Sequence, residues 1–366
     1  MTPLLYIIVT SVSAALLGLT LIPFLRVHHG ALRGPEFVRL QLLISAVGLM
    51  GFVLIWDAAW SPVALVLLLA TVVINAVFML KFTPLWAKQS QTAGADLQAR
   101  TNRHLTLLTA NVKMSNRSYD AVLEMAANEP ADILALIEPD ADWIAAMGPL
   151  RDRFAHYIEH PLDTGYGMAI YSDLPLSDTE LTDLVVKGVP SIQTTATLKS
   201  GDQVRLFFIH PEPPTATDPT KGRDSEIMLA GLKAKDHPLP SIIAGDLNDV
   251  AWSHTTRKFQ RITGLLDPRV GRGFFNTFNA FYPIFRWPLD HLFHDDRFRF
   301  VAMQRLRKIN SDHFPLTVTL ALADTPAGVT PDAVMGEETM AQDMIRKEQA
   351  KDRTAIGSDW EKDAET

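Results

Sequence analysis

Hydrophobic positions follow three different patterns along this chain. Up to residue 80 they run almost unbroken: Leu4–Leu25, Leu40–Trp56 and Pro62–Leu80 contain no charged side chain. Each run falls in the range of about 17–25 residues that carries a helix across a bilayer core of roughly 30 Å. A helix keeps its backbone hydrogen bonds internal, so such segments are stable in lipid. The alternative is three core helices of a soluble protein. Three runs in succession, with the charges confined to the connections, favour membrane spans. The first run is a poor signal peptide, because it lacks a basic start and two more runs follow.

From residue 104 the apolar positions come in short runs and alternations. Strands are predicted over Leu105–Val112, Asp132–Ile137, Gly167–Tyr171, Ile192–Leu198, Val204–Ile209, Ser241–Ala244, Leu289–Phe293, Arg299–Met303 and Thr317–Leu322. Helices are predicted over Tyr119–Asn128, capped by Ser118, and over Trp143–Met147, Ser225–Lys235 and His254–Thr263. Strands mixed with helices predict an α+β domain of two packed sheets with helices outside. The third pattern is polar. Lys88–Arg103 lacks apolar periodicity and reads as a linker. Residues 323–366 are charged and read as a solvated, disordered tail with a weak helix near Glu337–Lys351. The expected division is therefore an anchor at 1–87, a linker at 88–103, a domain at 104–322 and a tail at 323–366.

The connections suggest an orientation. Arg26, Arg33 and Arg39 lie in or beside the first, and Asp57–Ser61 has no Lys or Arg. Lys81, Lys88, Arg100 and Arg103 follow the third run. Positive charge gathers on the cytoplasmic side, which places the first connection and the domain there, in a plasma or inner membrane. Trp56, Trp60 and Trp86 sit where interfacial aromatics do. His28 and His29 resemble a ligand pair, but their arginine neighbours favour an interfacial role.

Composition narrows the chemistry. The 34 Lys and Arg against 41 Asp and Glu give a formal net charge of -7, which argues against a general nucleic-acid coat protein. The chain has 0 Cys, so disulfides, zinc–thiolate sites and a cysteine nucleophile are excluded. Isolated polar residues follow or precede the predicted strands: Asn111, Glu138, His210, Asp246, Asn248, Asp290, Asp312 and His313. Strand ends converge at one rim of a sheet. An acid-rich rim is a hard-oxygen site, suited to Mg²⁺ or Mn²⁺ rather than zinc. Taken singly, Asp246 and Asn248 would cap a turn, Glu138 would be a surface carboxylate and His210 a loop histidine. The case rests on their occurring together.

The order and spacing of these blocks carry a resemblance. TAN ending at Asn111, IE at Glu138, GYGMAIYSDLP over Gly165–Pro175, IH at His210, GDLN over Gly245–Asn248, LDH around Asp290 and SDH over Ser311–His313 resemble the endonuclease/exonuclease/phosphatase superfamily. The resemblance covers nearly all of residues 104–322. It implies a four-layer αββα sandwich and direct attack of water on phosphorus. Glu138 would be the main ligand of Mg²⁺ or Mn²⁺, with Asn111 and Asp312 near the ion or its waters. Asp246 would orient or deprotonate the water, and Asn248 would hold a phosphate oxygen. His313 would contact the phosphate, with Asp290 fixing its tautomer. His210 would serve the leaving group. Ile137 replaces the usual Gln before the glutamate, and Pro211–Glu212–Pro213–Pro214 follows the first histidine in an unusual context.

Three functions follow as expectations. The first is a membrane-anchored phosphodiesterase, with nucleic acid the family's generic substrate. The second is a hydrolase of a lipid-linked phosphate or phospholipid head group, suggested by the tether. The third is a binding module that kept only the fold. The bilayer is the expected partner, and no protein partner is inferable. The basic group Arg297, Arg299, Arg305, Arg307 and Lys308 reads as a solvated face ahead of a phosphate-attracting rim. Trp252, Phe274, Phe275 and Phe278 either pack the core or contact a base or lipid.

Overall fold

The structure, a computed structural model, describes residues 3–57 and 62–360. Trp60, most of the second connection and residues 361–366 lie outside the described residues.

The three apolar runs are helices: α1 (Pro3–Leu21, continued by a 3-10 turn to Leu25), α3 (Arg39–Asp57) and α4 (Pro62–Leu80). In the most apolar stretch of each, only 17%, 22% and 28% of residues are buried within the protein. Ile7, Ile44 and Val66 face outward. An apolar surface of that extent needs lipid or a partner rather than water. Polar side chains turn inward instead. Asn75 donates to Thr20 Oγ1 at 2.9 Å and accepts from Arg39 Nη1 at 3.3 Å, as polar residues within a bilayer do.

Between α1 and α3 lies a helix the pattern did not predict, α2 (Gly30–Phe37). Gly30, Gly34 and Pro35 all disfavour a helix there. Tertiary contacts hold it. Gly30 N and Ala31 N donate to Asp218 O and Ala216 O at 3.0 and 3.1 Å. A Cβ on Gly30 would collide with the Thr215 carbonyl, so only glycine permits this approach. Arg33 reaches Glu36 Oε2 at 2.8 Å and Thr255 Oγ1 at 2.9 Å, and Trp252 Nε1 donates to Glu36 O at 2.6 Å. His28 Nδ1 meets Asp224 Oδ2 at 2.8 Å. That histidine therefore fastens the first connection to the domain.

The domain is two sheets. One runs β10–β11–β1–β2–β4–β3, from Phe298–Arg305, Leu316–Leu322, His104–Asn111, Ile133–Ile137, Met168–Ser172 and His156–His160. The other runs β5–β6–β7–β8–β9, from Leu176–Asp183, Pro190–Thr197, Gln203–Ile209, Ser241–Asp246 and Asp290–His294. Leu107, Ile133, Val318, Leu206, Phe208 and Ile242 fill the space between them. Outside the first sheet pack α6 (Tyr119–Asn128) and α7 (Ala141–Ala146), through Val122, Met125 and Trp143. Outside the second pack α9 (Lys221–Asp236) and α10 (His254–Thr263), through Ile227, Phe259 and Phe293. The expected four-layer sandwich is present.

Some expectations need correction. β3 and β5 were not predicted. Both are edge strands, and β5 exposes nearly its whole length, so neither carries the apolar alternation that marks a half-buried strand. Ser118 precedes α6 but its side chain does not cap it; its Oγ accepts from Asn310 at 3.0 Å. The linker is not free, since Ala93 N and Gln91 O bond Phe300 at 2.8 Å each. The tail is not simply solvated. Its helix α11 (Glu337–Gln349) buries Ala341 and Ile345 against α9. Beyond it, Arg353 grips the buried carboxylate of Glu212 at 2.5 and 2.7 Å. The unusual Glu212 is thus the tail's anchor.

Candidate active site

Strand direction brings the polar residues together. β1 and β2 are parallel, so Asn111 and Glu138 leave the first sheet at one end. β7 and β8 are parallel, so His210 and Asp246 leave the second likewise. β9 runs antiparallel to β8 and starts where β8 ends, with Asp246 paired to Asp290. β11 runs antiparallel to β1, so His313 just before it arrives at the same rim. Gly245 (φ 144°) lies against the Ile209 carbonyl, where a Cβ would collide. Glu138 and Asn248 hold positive φ, 67° and 52°. Such backbone strain, of order 1–3 kcal/mol each, persists where surrounding structure enforces it.

Distances show which residues meet. Asn111 Nδ2 donates to Glu138 Oε1 at 2.6 Å and to Asp246 Oδ2 at 3.1 Å. His313 Nδ1 pairs with Asp290 Oδ2 at 2.7 Å, and its Nε2 lies 3.4 Å from Asp246 Oδ2. His210 Nε2 lies 3.6 Å from Glu138 Oε1. Asn248 N donates to Asp246 Oδ1 at 2.9 Å, and its side chain donates to Pro211 O at 3.0 Å. Asp312 lines the same cavity, held by Lys113 Nζ at 3.1 Å. All eight predicted residues are therefore at one rim. The cavity itself is about 800 Å³.

Burial sets the electrostatics. It raises the Glu138 carboxyl to about 8, partly opposed by Asn111 and His313. It raises Asp246 as well. Burial also opposes the charged form of His313, but Asp290 and Asp246 outweigh it and hold the ring up to about 10. His210 is pushed down to about 3, by burial and then by His313. Two buried carboxylates pushed toward protonation, within reach of a charged imidazole, form a site short of positive charge. Glu138, His210 and Asp246 present ligand atoms within 4.8 Å of one another, as do Asp246, Asp290 and His313. Asp290 Oδ1 and His210 Nδ1 are buried without partners. A divalent cation fits such a donor set, and the excess of oxygen donors favours a hard one.

The sequence reading missed several walls of this cavity. Lys113 follows Asn111 by two residues, a spacing that could have flagged it. Tyr166, inside the recognised Gly165–Pro175 block, packs its ring 5.4 Å from that of His210. Gly30, Ala31, Gly34 and Phe37 of α2 and Val38 just after it also line the cavity, with Pro213, Pro214 and Trp360. No local signal marked these. Phe278 reaches it too, 4.9 Å from the His313 ring, whereas Trp252 is buried under α2. The basic group around Arg297 is not part of this cavity. Arg297 and Arg299 bond Asp295 and the Thr325 carbonyl instead. His291 and His294 are buried and structural.

The chain belongs to the endonuclease/exonuclease/phosphatase family: the model described as Endonuclease/Exonuclease/phosphatase family matches residues 108–313. Similar solved structures include humanized D. rerio TDP2 carrying 14 mutations, at 14% identity over 60% of this chain and 99% of that one, TM-score 0.49. An endonuclease/exonuclease/phosphatase family protein of Bacteroides thetaiotaomicron is 20% identical over 60% and 98%, TM-score 0.48. The human nocturnin catalytic domain with bound sulfate is 16% identical over 60% and 95%, TM-score 0.48. Comparison with curated proteins gives no match.

Proposed function

We propose that this protein is a membrane-anchored, divalent-cation-dependent hydrolase of phosphate esters, and that its substrate is amphiphilic: a phospholipid head group or a lipid-linked phosphate. One observation carries the substrate reading. The helix between the first two spans, α2, walls the same cavity as His210, Asp246 and His313. A substrate reaching those residues passes along a surface tied directly to the membrane helices. Phe37, Phe278 and Trp287 make that side aromatic; Phe37 and Trp287 meet edge to face at 5.9 Å. Such a wall suits acyl or prenyl carbons better than a sugar–phosphate backbone, which calls for cations.

Glu138 would be the main ligand for Mg²⁺ or Mn²⁺, with Asn111 and Asp312 near the ion or its waters. A bound cation of this kind offsets charge building on the phosphoryl oxygens. Asp246 orients the attacking water and accepts its proton, a task favoured by its raised affinity for protons. His313, held charged by Asp290, binds a phosphoryl oxygen, and Asn248 holds another. The water oxygen bonds to phosphorus and the ester P–O bond breaks with its electron pair on the departing oxygen. That oxygen takes up a proton from solvent water, with the neutral His210 ring the hydrogen-bond donor facing it, and Asp246 returns the proton it accepted to solvent.

Topology follows the same contacts. The first connection is docked on the domain, so both stand on one side of the membrane, and three spans put the N-terminus on the other. The arginine and lysine distribution supports a cytoplasmic domain side.

Turnover by the full chain in detergent or nanodiscs tests this reading. The substrates are a phospholipid diester in mixed micelles, a soluble aryl phosphodiester and plasmid DNA, each with Mg²⁺ or EDTA. The lipid ester is expected to turn over fastest, and only with the cation. DNA cleavage at an equal or higher rate overturns the amphiphile reading. Inactivity on every ester overturns the hydrolase.

A further inference from the structure

α2 has a second face. By helical periodicity Glu36 points away from Gly30, Gly34 and Phe37, and it lines a separate cavity of about 320 Å³. Pro23, Phe24 and Arg26 at the end of the first span close one side, Arg39 at the start of the second span another, and His254, Arg257 and Arg261 of α10 a third. The cavity thus sits where two spans leave the bilayer, at the level of lipid phosphates.

Its charges do not balance. The two carboxylates in its wall are already engaged. Glu36 binds Arg33 Nε at 2.8 Å and His254 N at 3.0 Å, and Glu337 chelates Arg261 at 2.9 and 2.6 Å. Among the described residues no carboxylate forms an ion pair with Arg26, Arg39 or Arg257. Arg39 is 1% exposed, yet its Nε has no hydrogen-bond partner. The Arg257 guanidinium donates to the Ser253 carbonyl at 3.2 Å, its one hydrogen bond among the described residues. The guanidinium groups of Arg39 and Arg257 stand 4.0 and 4.7 Å from the same ring, Phe78. Glu36 attracts both guanidinium groups, but its oxygens are already taken by Arg33 Nε and His254 N. The field is felt nearby: burial, then Arg33, Arg257, Arg26 and Arg261, push His254 down to about 4.

We propose that this cavity binds the phosphate of an anionic phospholipid head group, with Arg26, Arg39 and Arg257 as its donors. Guanidinium groups offer forked donors that match phosphate oxygens. Basic pockets between spans on the cytoplasmic side are a recurrent solution for acidic lipids. Pro23 and Phe24 in its wall suit the glycerol and first acyl carbons. This site is separate from the catalytic residues and does not depend on the reaction assigned to them.

Native mass spectrometry of the detergent-solubilised full chain tests it. The chain is titrated with phosphatidylglycerol or phosphatidylcholine, then challenged with glycerol 3-phosphate and inorganic phosphate. Phosphatidylglycerol is expected to be retained and phosphatidylcholine lost. Arg39→Gln and Arg257→Gln should each weaken phosphatidylglycerol by about tenfold, the scale of one lost charged hydrogen bond. Arg26→Gln, at an exposed position, should weaken it too, and keeps the test valid where a buried variant fails to fold. Arg346→Gln, on the exposed tail helix, should match the unaltered chain. Equal retention of the two lipids, or equal weakening by Arg346→Gln, overturns the site. Displacement by free phosphate at matching concentration overturns the lipid assignment and leaves a phosphate site only.

Discussion

The cavity at the strand-end rim has two walls of different origin. One is the rim of the sandwich: Asn111, Glu138, His210, Asp246, Asp290 and His313, all at strand ends. The other is assembled from elements that belong to no sheet: α2 from between the N-terminal apolar helices, the loop carrying Phe278 and Trp287, and the tail around Trp360. The first wall is polar and buried, and each side chain is positioned by a ladder of backbone bonds. The second is mostly apolar and is held by side-chain fastenings such as Arg33–Thr255 and Arg353–Glu212. Reaction chemistry needs fixed distances, which ladders give. Substrate choice needs shape, which an appended helix can supply without disturbing the rim.

Variants separate the two walls. The largest effect is expected at the rim. Asp246→Asn or His313→Ala should lower turnover by about 10²–10⁴-fold on lipid and soluble esters alike, with the circular dichroism of the domain retained. Removal of divalent ions with EDTA should have a similar effect, reversed by Mg²⁺ or Mn²⁺. A rim variant that loses only lipid turnover would erase the distinction between walls.

Arg33→Ala comes next. It leaves Glu36 and Asp224 buried beside an empty space, and removing one member of a buried pair costs about 3–5 kcal/mol. Urea unfolding of the solubilised chain should show that loss, with α2 becoming sensitive to protease. An unchanged midpoint would mean that α2 is not fastened as described. Gly30→Val should act on substrate choice more than on folding. Its side chain would push α2 away from Thr215, and a displacement near 1 Å can cost about 100-fold. Lipid turnover should fall by about tenfold or more while the soluble ester changes far less; parallel losses would count against α2 as a specificity wall. The smallest effect is expected from Phe37→Ala. Losing part of one aromatic contact, about 0.5–1.5 kcal/mol, should raise KM for the lipid ester severalfold, with kcat little changed.

Much of the first wall was legible in the chain itself. Asn111, Glu138, Asp246 and His313 each stand at the boundary of a short buried strand, where a lone polar residue after an apolar run is conspicuous. Their order carried the family, and the family model confirms it. The second wall was hidden for physical reasons. α2 has two glycines and a proline, so propensity argues against a helix, and what stabilises it lies far along the chain at Asp218, Asp224 and Thr255. The edge strands β3 and β5 escaped because exposure removes the alternation that betrays a strand. The tail's composition is that of a solvated segment, and Ala341, Ile345 and Arg353 give no hint locally of the groove and the Glu212 carboxylate that receive them.

By itself, then, the order of residues determined the elements with their own periodic signal: three lipid-compatible helices, the buried strands and the polar residues that end them. These are local consequences of hydrophobic spacing and backbone hydrogen bonding. Which surfaces meet was decided only in three dimensions. The docking of α2 beside Glu138, Asp246 and His313, and the gathering of Arg26, Arg39 and Arg257 with no carboxylate ion-paired to them among the described residues, arise between segments far apart in the chain. Each depends on charges and carbonyls that the other segment supplies, so neither segment's own sequence contains it.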